Sequence, residues 1–175
     1  MNAPRSQVAR AASHPDPFDA LFDAEYGRVI AIASRILGDP HAAEDVAQDV
    51  FLSLHRRGAA GARYAPAWLH VAAAHAALNA LRARRRRARR EQLWSAGVAP
   101  AADPAEDAAT NEALVRLRDA MSRLKRTHAT VLALRYSGLS YAECADALGV
   151  RINHVGTMLR RAEAALRKEL GDAPV

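Results

Sequence analysis

This 175-residue chain predicts an all-α protein: two small helical bundles joined by a flexible linker, the second containing a helix-turn-helix. Three observations lead there. Apolar residues recur at three- and four-residue steps through most of the chain, with alanine abundant and β-branched runs scarce. One stretch, LWSAGVAPAADPAEDAAT from Leu93 to Thr110, loses that periodicity and turns to Ala, Pro, Gly and acids. Finally, Leu139 to Lys168 reads as two short helices about a glycine turn. The boundaries implied are a disordered lead-in at 1–14, a first bundle at 15–92, an acidic linker at 93–111 and a second bundle at 112–171.

The first helix is marked by Phe18, Leu21, Phe22, Tyr26, Val29, Ile30, Ala33 and Leu37, a core-facing series. Gly38-Asp39-Pro40 ends it and starts the next, with Asp39 as N-cap and Pro40 at the first helical position. The second helix puts Ala43, Val46, Ala47, Val50, Phe51 and Leu54 on one face and Glu44, Asp45, Gln48 and Asp49 on the other. His55 to Ala65, with two glycines and three arginines, reads as a loop. Pro66 then opens a third helix through Trp68, Leu69, Ala72, Ala76, Leu78 and Leu81 into RARRRRARR at Arg82–Arg90. Seven arginines in nine residues repel one another unless a polyanion or nearby acids answer them. Beyond the linker, Leu114, Leu117, Met121 and Leu124 mark one helix, and Ala129, Leu132, Ala133 and Tyr136 another.

The last two helices are the most informative. Ser140 followed by Glu143 is a capping box. The helix it starts carries Cys144, Ala145 and Leu148 on one face and stops at Gly149. The final helix begins near Asn153, an N-cap by residue type, and buries Val155, Leu159, Ala162 and Leu166. Arg160, Arg161, Arg167 and Lys168 are left for solvent or phosphate. The pattern suits a helix-turn-helix whose second helix lies in the major groove, better than it suits a plain hairpin with a solvated basic face.

Charge alternates along the chain. Residues 15–65 carry eight acids against five basic residues, 66–92 one against seven, 93–112 four against none, and 113–175 six against eleven. One acidic docking face and two nucleic-acid-facing surfaces fit that pattern. Cys144 is the single cysteine, so no internal disulfide forms, and its place suits a buried thiol in a reducing compartment. No apolar run reaches the ~20 residues of a membrane span, and the N-terminus has no apolar signal core. His70 and His75 are five apart, on different helix faces, and no His-x3-His, cysteine pair or Gly-rich phosphate loop occurs. The expectation is a cytoplasmic protein with no catalytic residues, metal or cofactor.

Three segments together resemble a known family: RILGDPHAAEDVAQDVFLSLHRR at Arg35–Arg57, PAWLHVAAAHAALNALRARRRR at Pro66–Arg87, and the helix-turn-helix with its preceding helix. In that order they resemble bacterial RNA polymerase sigma factors of the extracytoplasmic-function (ECF) group of the sigma-70 family, over about residues 18–92 and 112–170. The resemblance implies a region 2-like first domain, whose strip Glu44, Asp45, Gln48 and Asp49 docks on the β′ clamp helices of core polymerase. It implies capture of the melting −10 element by Arg56, Arg57, Arg63, Tyr64, His75, Asn79, Arg82, Arg85 and Arg86. A region 4-like second domain then meets the β flap and reads the −35 element through Arg151, Asn153, His154, Thr157, Arg160 and Arg161. An anti-sigma partner is also expected from the family. In it the linker threads toward the RNA exit path.

The sequence departs from the family's pattern in places. His75 replaces a usual asparagine and Asn79 a usual aspartate; Lys125 and His128 replace a frequent proline and arginine. Gly156, Met158 and Glu163 stand where basic or polar residues are common, so −35 reading is expected to be unusual or weak. Trp68 reads either as core or as a stacking platform, and the acidic strip as a docking face or a solvated one. A stand-alone helix-turn-helix regulator, binding duplex DNA as a dimer without polymerase, explains the second domain equally well. It leaves the acidic strip, the arginine-rich helix and the linker without a role.

Overall fold

The computed structural model describes residues 16–94 and 108–171. The lead-in at 1–14 and most of the linker lie outside the described residues. Seven helices account for the described chain: α1 (Pro17–Leu37), α2 (Pro40–Arg56), α3 (Ala65–Trp94), α4 (Ala108–Arg123), α5 (Arg126–Tyr136), α6 (Tyr141–Leu148) and α7 (Ile152–Gly171). The helices flanking the linker run further than the composition suggests: α3 includes Leu93 and Trp94, and α4 starts at Ala108, inside the expected 93–111 segment.

Local chemistry sets most boundaries. Asp16 accepts from the Phe18 amide at 2.9 Å and so caps α1, with Pro17 at its first position. Gly38 closes α1 in the left-handed region at φ 62°. Asp39 then caps α2 by accepting from the Ala42 amide at 3.1 Å. Both halves of the capping box form at α6, where the Glu143 amide donates to Ser140 Oγ at 3.2 Å and the Ser140 amide to Glu143 Oε2 at 2.7 Å. One expectation fails at α7: the helix already includes Ile152, so Asn153 sits in its first turn and is not the cap.

Helices α1, α2 and α3 form one bundle, buried around Val29, Ile32, Leu54, Leu69 and Leu78. Its seams are alanine: Ala33, Ala43, Ala47, Ala73, Ala74 and Ala77 are fully buried. At one end Phe18, Phe22, Tyr26 and Phe51 stack or tilt against one another, 4.7 to 6.2 Å between ring centres. Helices α4 to α7 form the second bundle around Val131, Leu134, Cys144, Val155 and Leu159. Here three expected core residues turn outward: Leu114, Leu117 and Tyr136 are 42%, 37% and 54% exposed. Only Met121 and Leu124 of the α4 series turn inward.

The two bundles do not stand apart. Helix α3 packs against α5, α6 and α4 as well as against α1 and α2, and the buried residues form one continuous cluster. Ion pairs bridge the halves, Arg28 to Glu143 at 2.5 Å and Arg85 Nε to Asp119 at 2.6 Å. Among the described residues no helix is long and apolar enough to cross a membrane.

Candidate docking and nucleic-acid interfaces

Three surfaces carry the residues singled out by sequence. The first is the outward face of α2. Its cap and its buried stripe of Val46, Val50, Phe51 and Leu54 fix the helix's rotation, which leaves Glu44, Asp45, Gln48 and Asp49 all exposed. The strip also holds a residue the sequence reading missed. Leu52 is 45% exposed, one turn beyond Gln48 and Asp49. The signal was legible, since an apolar residue four places after Gln48 belongs to the polar face of this helix. The surface is therefore anionic with an apolar spot at its edge, a composition suited to a protein partner rather than to solvent alone.

The second surface follows α3. Before it Arg56, the last residue of α2, and Arg57, Arg63 and Tyr64 of the connecting loop are exposed, and the Arg57 guanidinium lies 5.1 Å from the centre of the Trp68 ring. Trp68 itself is half-buried against the core. It is thus both things expected of it in part, a packing residue whose free face a cation covers. Further along, His75, Asn79, Arg82 and Arg86 follow one another at helical spacing, with Arg85 beside them. Burial pushes the His75 pKa down, and the Arg126 and Arg82 charges push it further, so the ring is neutral at pH 7.

Most of that face meets the second bundle. Arg82 Nε donates to the Ser122 carbonyl at 3.1 Å and its Nη2 to the Leu124 carbonyl at 2.9 Å. Arg85 pairs with Asp119, and the Asn79 side-chain oxygen accepts from Arg126 at 3.2 Å. The remaining arginines of the run divide: Arg84 pairs with Asp39 at 2.8 Å, while Arg86, Arg87, Arg89 and Arg90 are exposed. At the other end of α3, Arg63 and Tyr64 border a polar cleft of about 600 Å³ with Glu25, Arg28, His70 and Glu143. His70 is buried there, its Nε2 2.8 Å from Glu25. The structure thus separates the expected −10 residues into a loop group and a helix group, and couples only the helix group to α4 and α5.

The third surface is α7. Arg151, Asn153, His154, Arg160 and Arg161 are exposed and Thr157 half-buried, accepting from Arg160 Nη2 at 3.4 Å. All but Arg151 share one side of the helix. The three departures from the family pattern separate. Met158 packs against the core, and Glu163 accepts from the Tyr136 hydroxyl at 3.1 Å and faces Arg167. That contact raises the Tyr136 pKa. Neither residue removes a cation from the exposed face. At Gly156 a β-carbon would meet the Tyr141 ring at an ordinary 3.6 Å, so alanine fits there.

Behind α7 the outward-turned leucines border a shared cavity. Leu114, Leu117, Met121, Tyr136, Leu166 and Ile36 line a cavity of about 460 Å³, with Arg35, Arg118 and Arg167 at its border. Cys144 has no such setting: it is fully buried, and burial raises its pKa, so the thiol stays protonated. Among the described residues no three His, Cys, Asp or Glu side chains are grouped to hold a metal ion.

Comparison with known proteins gives this arrangement a family. The model of Sigma-70 region 2 matches residues 21–87, and that of Sigma-70, region 4 matches residues 114–166. The ECF RNA polymerase sigma factor SigK of Mycolicibacterium vanbaalenii is 30% identical over 164 residues, spanning 90% of this chain and 84% of that relative. The ECF RNA polymerase sigma factor SigM of Mycobacterium tuberculosis is 32% identical over 168 residues, spanning 94% of this chain and 82% of that relative. A solved structure of the sigma factor RpoE in complex with the anti-sigma factor NepR from Bartonella quintana aligns at 20% identity and a TM-score of 0.48, over 90% of this chain and 98% of that one. The acidic helix and arginine-rich helix fall inside the region 2 match and the helix-turn-helix inside the region 4 match, across relatives that run nearly end to end with this chain: it belongs to the sigma-70 family, as an ECF sigma factor that directs RNA polymerase to promoters.

Proposed function

We propose that this sigma factor divides its work among the three surfaces and the groove. The strip Glu44, Asp45, Gln48 and Asp49, extended by Leu52, docks on the β′ clamp helices. Its charge sets register and encounter rate, and the exposed leucine supplies the apolar contact. Arg56, Arg57, Arg63 and Tyr64 with His75, Asn79, Arg82, Arg85 and Arg86 hold the opened −10 strand, the cations meeting phosphates and the aromatic and amide groups meeting an unstacked base. The exposed side of α7, from Asn153 to Arg161, with Arg151 just before the helix, reads the −35 duplex. The apolar groove between α4, α5 and α7 accepts an apolar segment of the β flap.

The observation that carries this reading is the segregation of charge and burial. The acids of α2, the arginines at the end of α3 from Arg86 to Arg90 and the cations of α7 face outward on helices whose other faces are locked in the core, while Arg82 and Arg85 turn toward the second bundle. Catalysis stays with the polymerase, and an anti-sigma protein is the expected regulator. Because Met158 packs on the core and Glu163 is held by Tyr136 and Arg167, −35 reading is weakened by Gly156 alone, whose cost relative to alanine is up to ~1 kcal/mol of helix stability. The test is reconstitution. The purified chain is mixed with core polymerase, passed over a sizing column, and used for transcription from a library of genomic fragments. Co-elution and a defined set of start sites are expected. A chain that binds duplex DNA as a dimer and ignores the polymerase overturns the proposal in favour of a free-standing regulator.

A further inference from the structure

We infer that Ile152, beside the Tyr141 ring, is a specificity residue for the −35 duplex that selects thymine through its methyl group. Ile152 is the first residue of α7, and it is 55% exposed, as much as any large aliphatic side chain among the described residues. Its neighbours Arg151, Asn153 and His154 are polar and exposed as well. The isoleucine takes no part in the core cluster, because Val155, Leu159 and Ala162 supply the buried face of the helix. The leading residues of a recognition helix are the ones that meet base edges, while the first helix of the motif crosses the backbone.

The surroundings of Ile152 are apolar too. Gly156 follows it by one turn on the same side of α7 and has no side chain to cover it. Tyr141, the first residue of α6, is 44% exposed, and its Cε2 lies 3.6 Å from where a β-carbon on Gly156 would stand. Arg135 holds that ring: its guanidinium lies 5.6 Å from the ring centre while Nη1 donates to the Leu139 carbonyl at 3.2 Å. Isoleucine, bare backbone and aromatic ring make an apolar strip beside Asn153, Thr157 and Arg160, which offer hydrogen bonds. In the major groove thymine alone presents a methyl group, so an apolar strip discriminates for it where hydrogen-bonding side chains read the other bases. The glycine at 156 therefore changes what is read as well as how tightly.

The inference rests on the −35 assignment of α7, and its test separates the two. The full chain with core polymerase is used to select duplex DNA randomised through the upstream element. The enriched duplex is then remade with each upstream thymine replaced singly by deoxyuridine, which removes only the methyl. At one such position the replacement is expected to weaken binding about fourfold, as for one buried methyl-sized group. Ile152→Ala should bind thymine and uracil there alike, with the other positions and the melting temperature unchanged, since the side chain is exposed. Ile152→Val, which keeps the branched alkyl group, should retain the preference. A selection that enriches no upstream thymine, a duplex indifferent to deoxyuridine, or a preference that survives Ile152→Ala overturns the inference. Arg161→Ala reads the premise: weakened binding to the enriched duplex sustains the −35 assignment, whereas unchanged binding defeats it together with the methyl contact.

Discussion

Arg28 and Glu143 meet at 2.5 Å across the joint between the bundles, and Glu143 performs two tasks at once. One carboxylate oxygen accepts from Arg28 and the other from the Ser140 amide, so the cap of the first helix of the helix-turn-helix is tied to α1. The Ser140 amide, then its hydroxyl, then Arg28 hold the Glu143 pKa down to about 2 from an ordinary 4.5. The resulting stabilisation is complete above 4.5 and fades as pH falls toward 2. Glu143→Ala should lower stability by about 1 kcal/mol at pH 7 through the lost cap. Thermal melts of both proteins should draw together as the pH is lowered from 5 and converge only near about 2. A gap that stays constant over that range assigns the loss to something other than the carboxylate.

Charge reversal of the docking strip tests the polymerase contact directly. Asp45→Lys with Asp49→Lys is expected to abolish co-elution with core polymerase while leaving helical content and melting temperature unchanged, because both side chains are exposed on α2. Retained co-elution moves the docking site elsewhere. Leu52→Ala on the same face should weaken binding by roughly tenfold, about 1.4 kcal/mol, as for a modest apolar contact in a protein interface.

Leu54 is fully buried among α1, α2 and α3. Leu54→Ala removes three carbons from a core whose alanine seams leave little to collapse inward. The expected loss is about 2–5 kcal/mol, read from urea unfolding followed by circular dichroism. A loss below about 1 kcal/mol would contradict the packing described.

Cys144 is shielded and its pKa raised, first by burial. A thiol reagent should therefore label the native protein at the rate at which the second bundle opens, not at the rate of an exposed thiolate. Rapid labelling at pH 8, independent of added urea, would mean the thiol is accessible. Cys144→Ser leaves a hydroxyl in that site, with the Leu139 carbonyl 4.0 Å from the present sulfur, and should destabilise the bundle.

His75 gives the joint a dependence on acidity. Its pKa is lowered in the folded chain by burial and by Arg126 and Arg82, so protonation opposes the packed form. The contribution is intact above the ordinary value of 6.5 and is lost as pH falls below it. Melting temperature should fall between pH 7.5 and about 5.5, and His75→Asn should flatten that dependence. An unchanged slope in the variant assigns it to other groups.

Local grammar made much of this molecule legible. Ser140 with Glu143, Asp39 with Pro40, and Gly38 and Gly149 each act within three or four residues, and all do in space what their spacing implies. The acidic strip was equally readable, because a helix's buried face fixes its exposed one. What periodicity omits is the neighbour. Leu114, Leu117 and Tyr136 share their faces with Met121 and Ala133, yet no helix among the described residues covers them, so a groove stands where a core was expected. The pairing of Arg85 with Asp119 joins residues 34 positions apart on different helices, and no local pattern announces it. Asp119 was visible only as an acid among Arg116, Arg118 and Arg123.

Helix α3 spans 30 residues without a break, about 45 Å of rod. Its first half is wedged between α1 and α2 on alanine seams, and its second half carries the arginines. That makes the seam a lever's fulcrum. Any side chain larger than alanine at Ala73, Ala74 or Ala77 tilts the rod, and the displacement grows along its length toward the cationic tip. Promoter geometry in such a lineage can therefore drift through residues that never approach a nucleotide.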